Sequence, residues 1–172
     1  GVPELRQAIA EYLSRARGIS VSPAQILVGS GTEYLYNLLI QLLGRDKVYG
    51  VENPGYQKIA NIYQANDALY RPIRVDRSGL NLEQLQQSDV DILHISPSHH
   101  FPTGIVTPIG RRQELLKWAA EQPGRYIIED DYDSEFRFSG RPIPTLFSID
   151  ENEKVNEQAM RKLMQWHLKE GL

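Results

Sequence analysis

Short apolar segments alternate with segments of helical periodicity along most of this 172-residue chain, and this alternation is the feature that most constrains its fold. The apolar segments read QILVG, KVYGV, ALYRPIRV, VDILHIS and RYIIE, and amphipathic patterns such as TEYLYNLLIQLL lie between them. Strands joined by helices in this way are typical of a mainly parallel sheet that is covered by helices on both faces. We therefore predict a three-layer α/β/α fold.

The composition is that of a globular domain and excludes several classes of protein. Charged residues make up 24% of the chain and hydrophobic residues 41%, which is unlike a disordered chain. The net charge of −3 gives no general attraction for nucleic acid or for an anionic membrane. The lack of cysteine excludes disulfides and thiolate metal sites. With neither a membrane-spanning apolar run nor an N-terminal signal in the sequence, we expect a cytoplasmic protein.

Four polar loops follow the predicted strands, and their sequences are GSGT, ENPGY, PSHHFPTG and EDDYD. Ligands of parallel α/β sheets bind where strands end and loops begin. We therefore expect these four loops to meet at one edge of the sheet and to form one site.

The first two loops have features of a site for a planar phosphorylated ligand. Ser30, Gly31 and Thr32 stand where a helix begins, and free backbone N–H groups at a helix start favour phosphate. The alternative is a tight turn in which Thr32 caps the helix. Tyr56 leaves the ENPGY turn where its ring could stack on a planar ligand, or could start the next helix and pack on the core.

The segment YIIEDDYDSEFR places five carboxylates within seven residues at the end of a predicted buried strand. A carboxylate such as Asp130 at a strand end can keep a protonated ring nitrogen charged, and the phenol of Tyr132 could hydrogen-bond a ring oxygen. One alternative is a Mg²⁺ site of a phosphoryl-transfer enzyme. Another is a surface turn in which the acids pair with Arg137 and Arg141.

Three histidines, His94, His99 and His100, lie in or next to the loop PSHHFPTG. Imidazoles bind zinc, but His94 is in the middle of a strand and adjacent histidines rarely converge on one ion. Hydrogen bonding to a ligand therefore fits this loop better than a metal, and we predict no metal site.

The segments ENPGY, PSHHFPTG and IIEDDYDSEFRFSGRPIPTL resemble the fold-type-I pyridoxal-phosphate enzymes, the aminotransferase superfamily, and in particular the aminotransferase-like domain of MocR-type regulators of the GntR family. The resemblance covers residues 1–155 and implies an incomplete pyridoxal-phosphate-transferase large domain, similar to that of aspartate aminotransferase. Residues 156–172, NEQAMRKLMQWHLKEGL, lie outside it, and their amphipathic pattern predicts a helical tail of unclear origin.

The resemblance also implies roles for eight residues around pyridoxal 5′-phosphate. The loop at Ser30, Gly31, Thr32 and Glu33 would bind the phosphate, Tyr56 would stack on the pyridine ring, Asp130 would pair with the ring nitrogen, and Tyr132 would contact the 3-hydroxyl oxygen. His99 matches the regulator form PSHQFPTG, in which His100 replaces the usual Gln, and Phe101 stands where ordinary aminotransferases have Asn. The resemblance leaves open which side chain of this loop would contact the cofactor.

None of the six lysines has the Ser-Lys context of the family's cofactor-binding lysine, so no catalytic residue is assigned. Lys162 has nearly the right distance from Asp130, but its surroundings read as a solvated helix. We therefore expect no transamination by this chain. We also expect pyridoxal 5′-phosphate to bind the intact domain and to bind this chain weakly or not at all. The parent protein is expected to be a homodimeric regulator that senses an amine or amino acid and binds DNA through a winged-helix domain that this sequence does not contain. The alternative is an active aminotransferase.

Overall fold

A six-stranded sheet with helices on both faces forms the centre of the molecule. The structure is a computed structural model and describes residues 1–133, 143–152 and 163–166. The strand order is β3-β2-β1-β4-β5-β6, and neighbouring strands are parallel except for the β2–β3 pair. Since parallel strands need long crossovers, a helix covers each connection from β1 to β2, from β3 to β4 and from β4 to β5.

The helices and strands have the following bounds along the chain. The helices are α1 (Pro3–Arg17), α2 (Thr32–Leu43), α3 (Gln57–Ala65), α4 (Leu82–Gln86), α5 (Ile109–Glu121) and α6 (Leu146–Asn152), with a short 3-10 helix at Pro23–Gln25. The strands are β1 (Val48–Asn53), β2 (Leu69–Asp76), β3 (Gly79–Leu80), β4 (Ile92–Ile95), β5 (Tyr126–Asp130) and β6 (Leu163–Trp166).

Alternation along the strands divides the core into two clusters, one on each face of the sheet. Ile127 packs in the cluster that includes the buried faces of α4, α5 and α6. Its neighbour Ile128 packs in the cluster that includes α2 and α3. Successive side chains of a strand point to opposite faces, so β5 contributes to both cores. The predicted three-layer α/β/α fold is confirmed.

Four of the five predicted strands are present, and one is absent. The segments KVYGV, ALYRPIRV, VDILHIS and RYIIE give β1, β2, β4 and β5. The segment QILVG was predicted to be a strand, and this was wrong. It follows a 3-10 helix that Ser22 caps, and Ile26 is extended but pairs with no strand of the described sheet. Leu27 is exposed, so this segment lacks the burial that a central strand has.

The prediction of a helical tail was wrong at residues 163–166. These residues form β6, which pairs in parallel with β5 from Ile127 to Asp130. The physical reason is that β5 would otherwise be an edge strand with unpaired backbone groups, and the pairing satisfies them. The rest of the tail lies outside the described residues. Among the helices that the structure describes, none is long and apolar enough to span a membrane.

Candidate functional site

A cleft of about 1390 Å³ opens at the carboxyl ends of the parallel strands. All four of the loops singled out in the sequence contribute to its lining, which confirms that they meet at one edge of the sheet. Five of the eight residues predicted for the site line it: Thr32, Glu33, Tyr56, Asp130 and Tyr132. Ser30 and Gly31 lie immediately before α2, and His99 lies against Tyr132 at the edge of the cleft.

Asp130 is the last residue of β5, and its carboxylate is held inside the cleft by a tyrosine of α2. The Tyr36 hydroxyl donates to Asp130 Oδ2 at 2.7 Å. The pKa of Asp130 is raised to about 6, chiefly by burial; the Tyr36 hydrogen bond lowers it, and the nearby charges of Asp131 and Asp133 raise it. A carboxylate with a raised pKa in a cleft is typical of a functional group.

A second layer of polar side chains lies beneath Tyr36. The imidazole of His94 packs edge-on against the Tyr36 ring, with the ring centroids 4.6 Å apart. Its Nδ1 is hydrogen-bonded to the Tyr63 hydroxyl at 2.7 Å. Burial lowers the pKa of His94 to about 3, so the ring is neutral at physiological pH. His94 therefore orients its neighbours and carries no charge.

Two aromatic contacts flank the mouth of the cleft. The rings of Tyr56 and Phe101 meet edge to face, with centroids 5.8 Å apart. On the other side the rings of His99 and Tyr132 are stacked at 6.0 Å, and the Tyr132 hydroxyl donates to the His99 carbonyl at 2.9 Å. Tyr56 and Phe101 are each more than half exposed. Tyr56 thus presents its ring to the cleft and does not pack in the core.

The loop before α2 has a backbone conformation that would let a ligand approach the main chain closely. Gly31 has φ +97° and precedes the first helical residue, Thr32, and this region of backbone conformation favours glycine. Glu33 in the first turn pairs with Lys58 of α3, Oε2 to Nζ, at 3.2 Å. Glu33 and Lys58 both line the cleft, so the ammonium group of Lys58 lies at the same end of the cleft as the start of α2.

Glu52 at the end of β1 is a second buried carboxylate that lines the cleft. Its Oε2 accepts the Ser96 N–H at 2.9 Å and lies 3.7 Å from His100 Nε2. Burial raises the pKa of Glu52 to about 8, and the charge of Asp130 adds to this effect. His100 is almost fully buried, and its Nδ1 is hydrogen-bonded to the Thr103 hydroxyl at 2.6 Å. Of the two adjacent histidines, His100 therefore holds the loop together, and His99 lies at the cleft.

The other carboxylates of the acidic segment have partners of their own. Glu129 accepts the Leu146 N–H at both oxygens, at 3.1 and 3.0 Å, and lies 3.6 Å from Arg112 on the α5 side of the sheet. Asp131 pairs with Arg17 of α1, and both side chains are buried. Glu135 and the two arginines expected to neutralise these acids, Arg137 and Arg141, lie outside the described residues.

The sequence interpretation missed three of the residues that line the cleft, namely Tyr36, Glu52 and Lys58. Tyr36 occupies a buried position of α2, where the hydroxyl of a tyrosine usually needs a partner. Glu52 follows the same strand-end pattern that singled out Asp130. Lys58 had no signal of its own, because its place depends on how α3 packs. Within the described residues, no three acidic or histidine side chains converge where a metal could bind.

Comparison with solved structures defines the class of fold. The α-aminoadipate aminotransferase LysN from Thermus thermophilus superposes with a TM-score of 0.81 at 22% identity, over 97% of this chain and 41% of that one. Pyrococcus horikoshii kynurenine aminotransferase gives 0.80 at 24% identity, with the same coverage of each chain. The fold is therefore that of the pyridoxal-phosphate aminotransferases, present here in part.

The chain belongs to the aminotransferase class I and II family, whose model matches residues 1–155. Among curated proteins, the uncharacterized HTH-type transcriptional regulator YdeL of Bacillus subtilis is 40% identical over 88% of this chain and 33% of its own length. The pyridoxine biosynthesis regulator PdxR of Corynebacterium glutamicum is 38% identical over 87% and 32%, respectively. The probable rhizopine catabolism regulatory protein MocR of Rhizobium meliloti is 35% identical over 90% and 31%. The chain thus spans about a third of the length of these relatives.

Proposed function

We propose that this chain is the cofactor-binding part of a transcriptional regulator, and that the regulator senses an amine or amino acid through bound pyridoxal 5′-phosphate. The observation that carries the proposal is the position of Asp130. It is a carboxylate at the carboxyl end of a central strand, oriented by a hydrogen bond at 2.7 Å, in a cleft whose other walls carry aromatic rings.

The residues of the cleft fit this cofactor. Asp130 can pair with the protonated ring nitrogen, Tyr56 offers a ring for stacking, and the loop at Gly31 and Thr32 offers backbone N–H groups to a phosphate. Lys58 lies at that end, where it is ion-paired with Glu33 and could instead pair with a phosphate. When bound, the cofactor supplies an electron sink for chemistry at the carbon next to an amine. The residues of the chain bind it, orient it and keep its ring nitrogen protonated.

The names of the relatives favour a transcriptional regulator. The relatives with 35 to 42% identity are named as transcriptional regulators or as a regulatory protein, which supports a regulatory role for the protein to which this chain belongs. We further propose that the regulator is a cytoplasmic homodimer. It would contact DNA through a part of the protein outside these residues. We also propose that the cofactor domain covers residues 1–155.

An active aminotransferase is the second candidate, because named enzymes also match. Aromatic-amino-acid aminotransferase 1 of Thermococcus litoralis is 26% identical over 165 residues, 90% of this chain and 39% of its own length. A cofactor-binding lysine would distinguish the two readings only in part, because a sensor needs one as well. Of the six lysines, Lys58 lines the cleft, and Lys154, Lys162 and Lys169 lie outside the described residues.

The decisive experiment is a titration with pyridoxal phosphate, followed by the visible absorbance of the cofactor, and then the addition of amino acids and a 2-oxo acid. The proposal predicts saturable binding, a spectral change with an amine, and no keto-acid product. Reduction with borohydride and peptide mapping would name any lysine that becomes attached. Steady formation of product would favour the aminotransferase, and the lack of any saturable binding would overturn both.

A further inference from the structure

We propose that Tyr36 is a positioning residue that keeps the Asp130 carboxylate ionised and fixed in the cleft, ready to pair with a cationic ring nitrogen. This inference rests on the proposed function. Tyr36 would act on the cofactor through Asp130, and its own atoms need not contact the cofactor.

The geometry places Tyr36 where it can act on one oxygen only. Its hydroxyl donates to Asp130 Oδ2 at 2.7 Å, and its side chain is 4% exposed. A carboxylate can accept hydrogen bonds at both of its oxygens. Oδ1 can therefore accept from a cation in the cleft while Oδ2 stays bonded to Tyr36.

The surroundings of Asp130 make such a donor necessary. Burial favours the neutral acid, and the nearby carboxylates of Asp131 and Asp133 repel a further negative charge. A hydrogen bond to the charged form opposes both effects. Among the described residues that raise or lower the pKa of Asp130, Tyr36 is the one that favours the carboxylate.

Tyr36 is itself held as a donor. Burial and the charge of Asp130 raise its pKa well above the ordinary value for tyrosine, so the hydroxyl keeps its proton. The neutral ring of His94 packs against its edge, and Tyr63 in turn fixes His94 by a hydrogen bond at 2.7 Å. Neither neighbour carries a charge that would compete with the donation.

The position of Tyr36 on α2 also connects two parts of the site. α2 begins at Thr32, beside the predicted phosphate loop, and Tyr36 lies about one helical turn further along. One rigid helix thus sets the distance between the group expected to bind phosphate and the carboxylate expected to bind the ring nitrogen.

The test is the Tyr36→Phe variant, with Tyr49→Phe as its matched control. Tyr49 is another buried tyrosine of the same core cluster, and its hydroxyl donates to the Gly44 carbonyl at 2.9 Å, away from Asp130. The pKa of Asp130 is measured by carboxyl-carbon NMR in the protein without added cofactor. We expect it to rise in Tyr36→Phe and to stay unchanged in Tyr49→Phe. An unchanged pKa in a folded Tyr36→Phe protein would overturn the proposal.

A second substitution covers the case in which Tyr36→Phe does not fold. Incorporation of 3-fluorotyrosine at position 36 keeps the size of the side chain and makes the phenol a more acidic, stronger donor. We expect the pKa of Asp130 to fall, and a rise or no change would contradict the proposal.

Cofactor affinity provides the link to function. If the wild-type protein binds pyridoxal phosphate, Tyr36→Phe should bind it about tenfold more weakly at neutral pH, because a hydrogen bond to a charged group is lost. Equal affinity would overturn the role in binding. If the wild type does not bind the cofactor at all, the proposed function fails, while the NMR titration still decides whether Tyr36 controls Asp130.

Discussion

At the scale of single residues, two features explain how the acidic segment tolerates its carboxylates. Successive side chains of β5 point to opposite faces of the sheet, and the carboxylates have separate partners. Glu129 faces the α5 and α6 side and is held by Arg112, whereas Asp130 faces the α2 side and the cleft. Asp131, one residue further, pairs with Arg17. Each of these three carboxylates thus has its own environment, and mutual repulsion is reduced because neighbours in sequence point apart.

Arg17→Met tests the buried pair with Asp131. Both side chains are nearly inaccessible, so the substitution leaves a buried carboxylate without its partner. We expect the free energy of unfolding to fall by about 3–5 kcal/mol, measured by urea denaturation. The control is Arg15→Met on the same helix. Arg15 forms an exposed ion pair with Glu11 at 3.8 Å, which should contribute about 0–1 kcal/mol to the free energy of unfolding. Equal effects of the two substitutions would contradict the account of Asp131.

Glu52→Gln tests the second carboxylate of the cleft through pH. The pKa of Glu52 is raised from 4.5 to about 8 by burial. The folded state therefore holds a proton that the unfolded state releases, and the contribution of this group to stability is lost as pH rises from about 4.5 to 8. Glutamine keeps the acceptor for the Ser96 N–H and cannot ionise. We expect the unfolding free energy of the wild type, relative to that of Glu52→Gln, to fall across this range in urea titrations. A constant difference would refute the raised pKa.

At the scale of elements, the turn between β1 and α3 fixes where Tyr56 enters the cleft. A Cβ atom on Gly55 would lie 2.2 Å from the backbone oxygen of Glu52, a distance that no side chain can occupy. Glycine at this position lets the chain reverse closely enough for Tyr56 to begin α3 facing Phe101. Gly55 of the ENPGY turn is thus required by packing.

Gly55→Ala should therefore destabilise the fold by about 1–3 kcal/mol, because backbone must move to accept the methyl group. Gly110→Ala in the first turn of α5 is the control, since a Cβ there meets none of the described atoms within 4 Å. Alanine at that helical position should be neutral or stabilising by up to about 1 kcal/mol. Thermal denaturation would measure both. A Gly55→Ala protein as stable as the Gly110→Ala protein would contradict the close approach at this turn.

The elements also show what could and could not be predicted from sequence. Strands β1, β4 and β5 were predictable because burial on both faces leaves nearly continuous apolar runs. Strand β2 was also predicted correctly, although most of its residues are exposed or only partly buried. The segment QILVG has the same composition, yet it pairs with no described strand, since strand pairing is decided by tertiary packing and not by composition. The segment that forms β6 was predicted to be a helix, again because composition does not show which strands will pair. Tyr36 was missed because a helical pattern shows which positions are buried, but not which side chain a hydroxyl will reach.

At the scale of the whole molecule, two helical layers and one sheet edge combine to build the cleft. The sheet brings the ends of β1, β4 and β5 together, and the α2 and α3 layer supplies Thr32, Tyr36 and Tyr56. The other layer, with α5 and α6, holds Glu129 through Arg112 and the Leu146 N–H and thereby fixes the end of β5. Our central proposal is that this arrangement positions the Asp130 carboxylate for a cationic ring.

The most direct test compares the affinities of pyridoxal phosphate and its analogue in which carbon replaces the ring nitrogen. Wild type, Asp130→Asn and the exposed control Asp89→Asn are titrated with both ligands and followed by absorbance. The account predicts that wild type and Asp89→Asn prefer the nitrogen-containing cofactor by about tenfold or more, as for a charge-assisted hydrogen bond, and that Asp130→Asn loses this preference. A preference that persists in Asp130→Asn would show that Asp130 does not pair with the ring nitrogen.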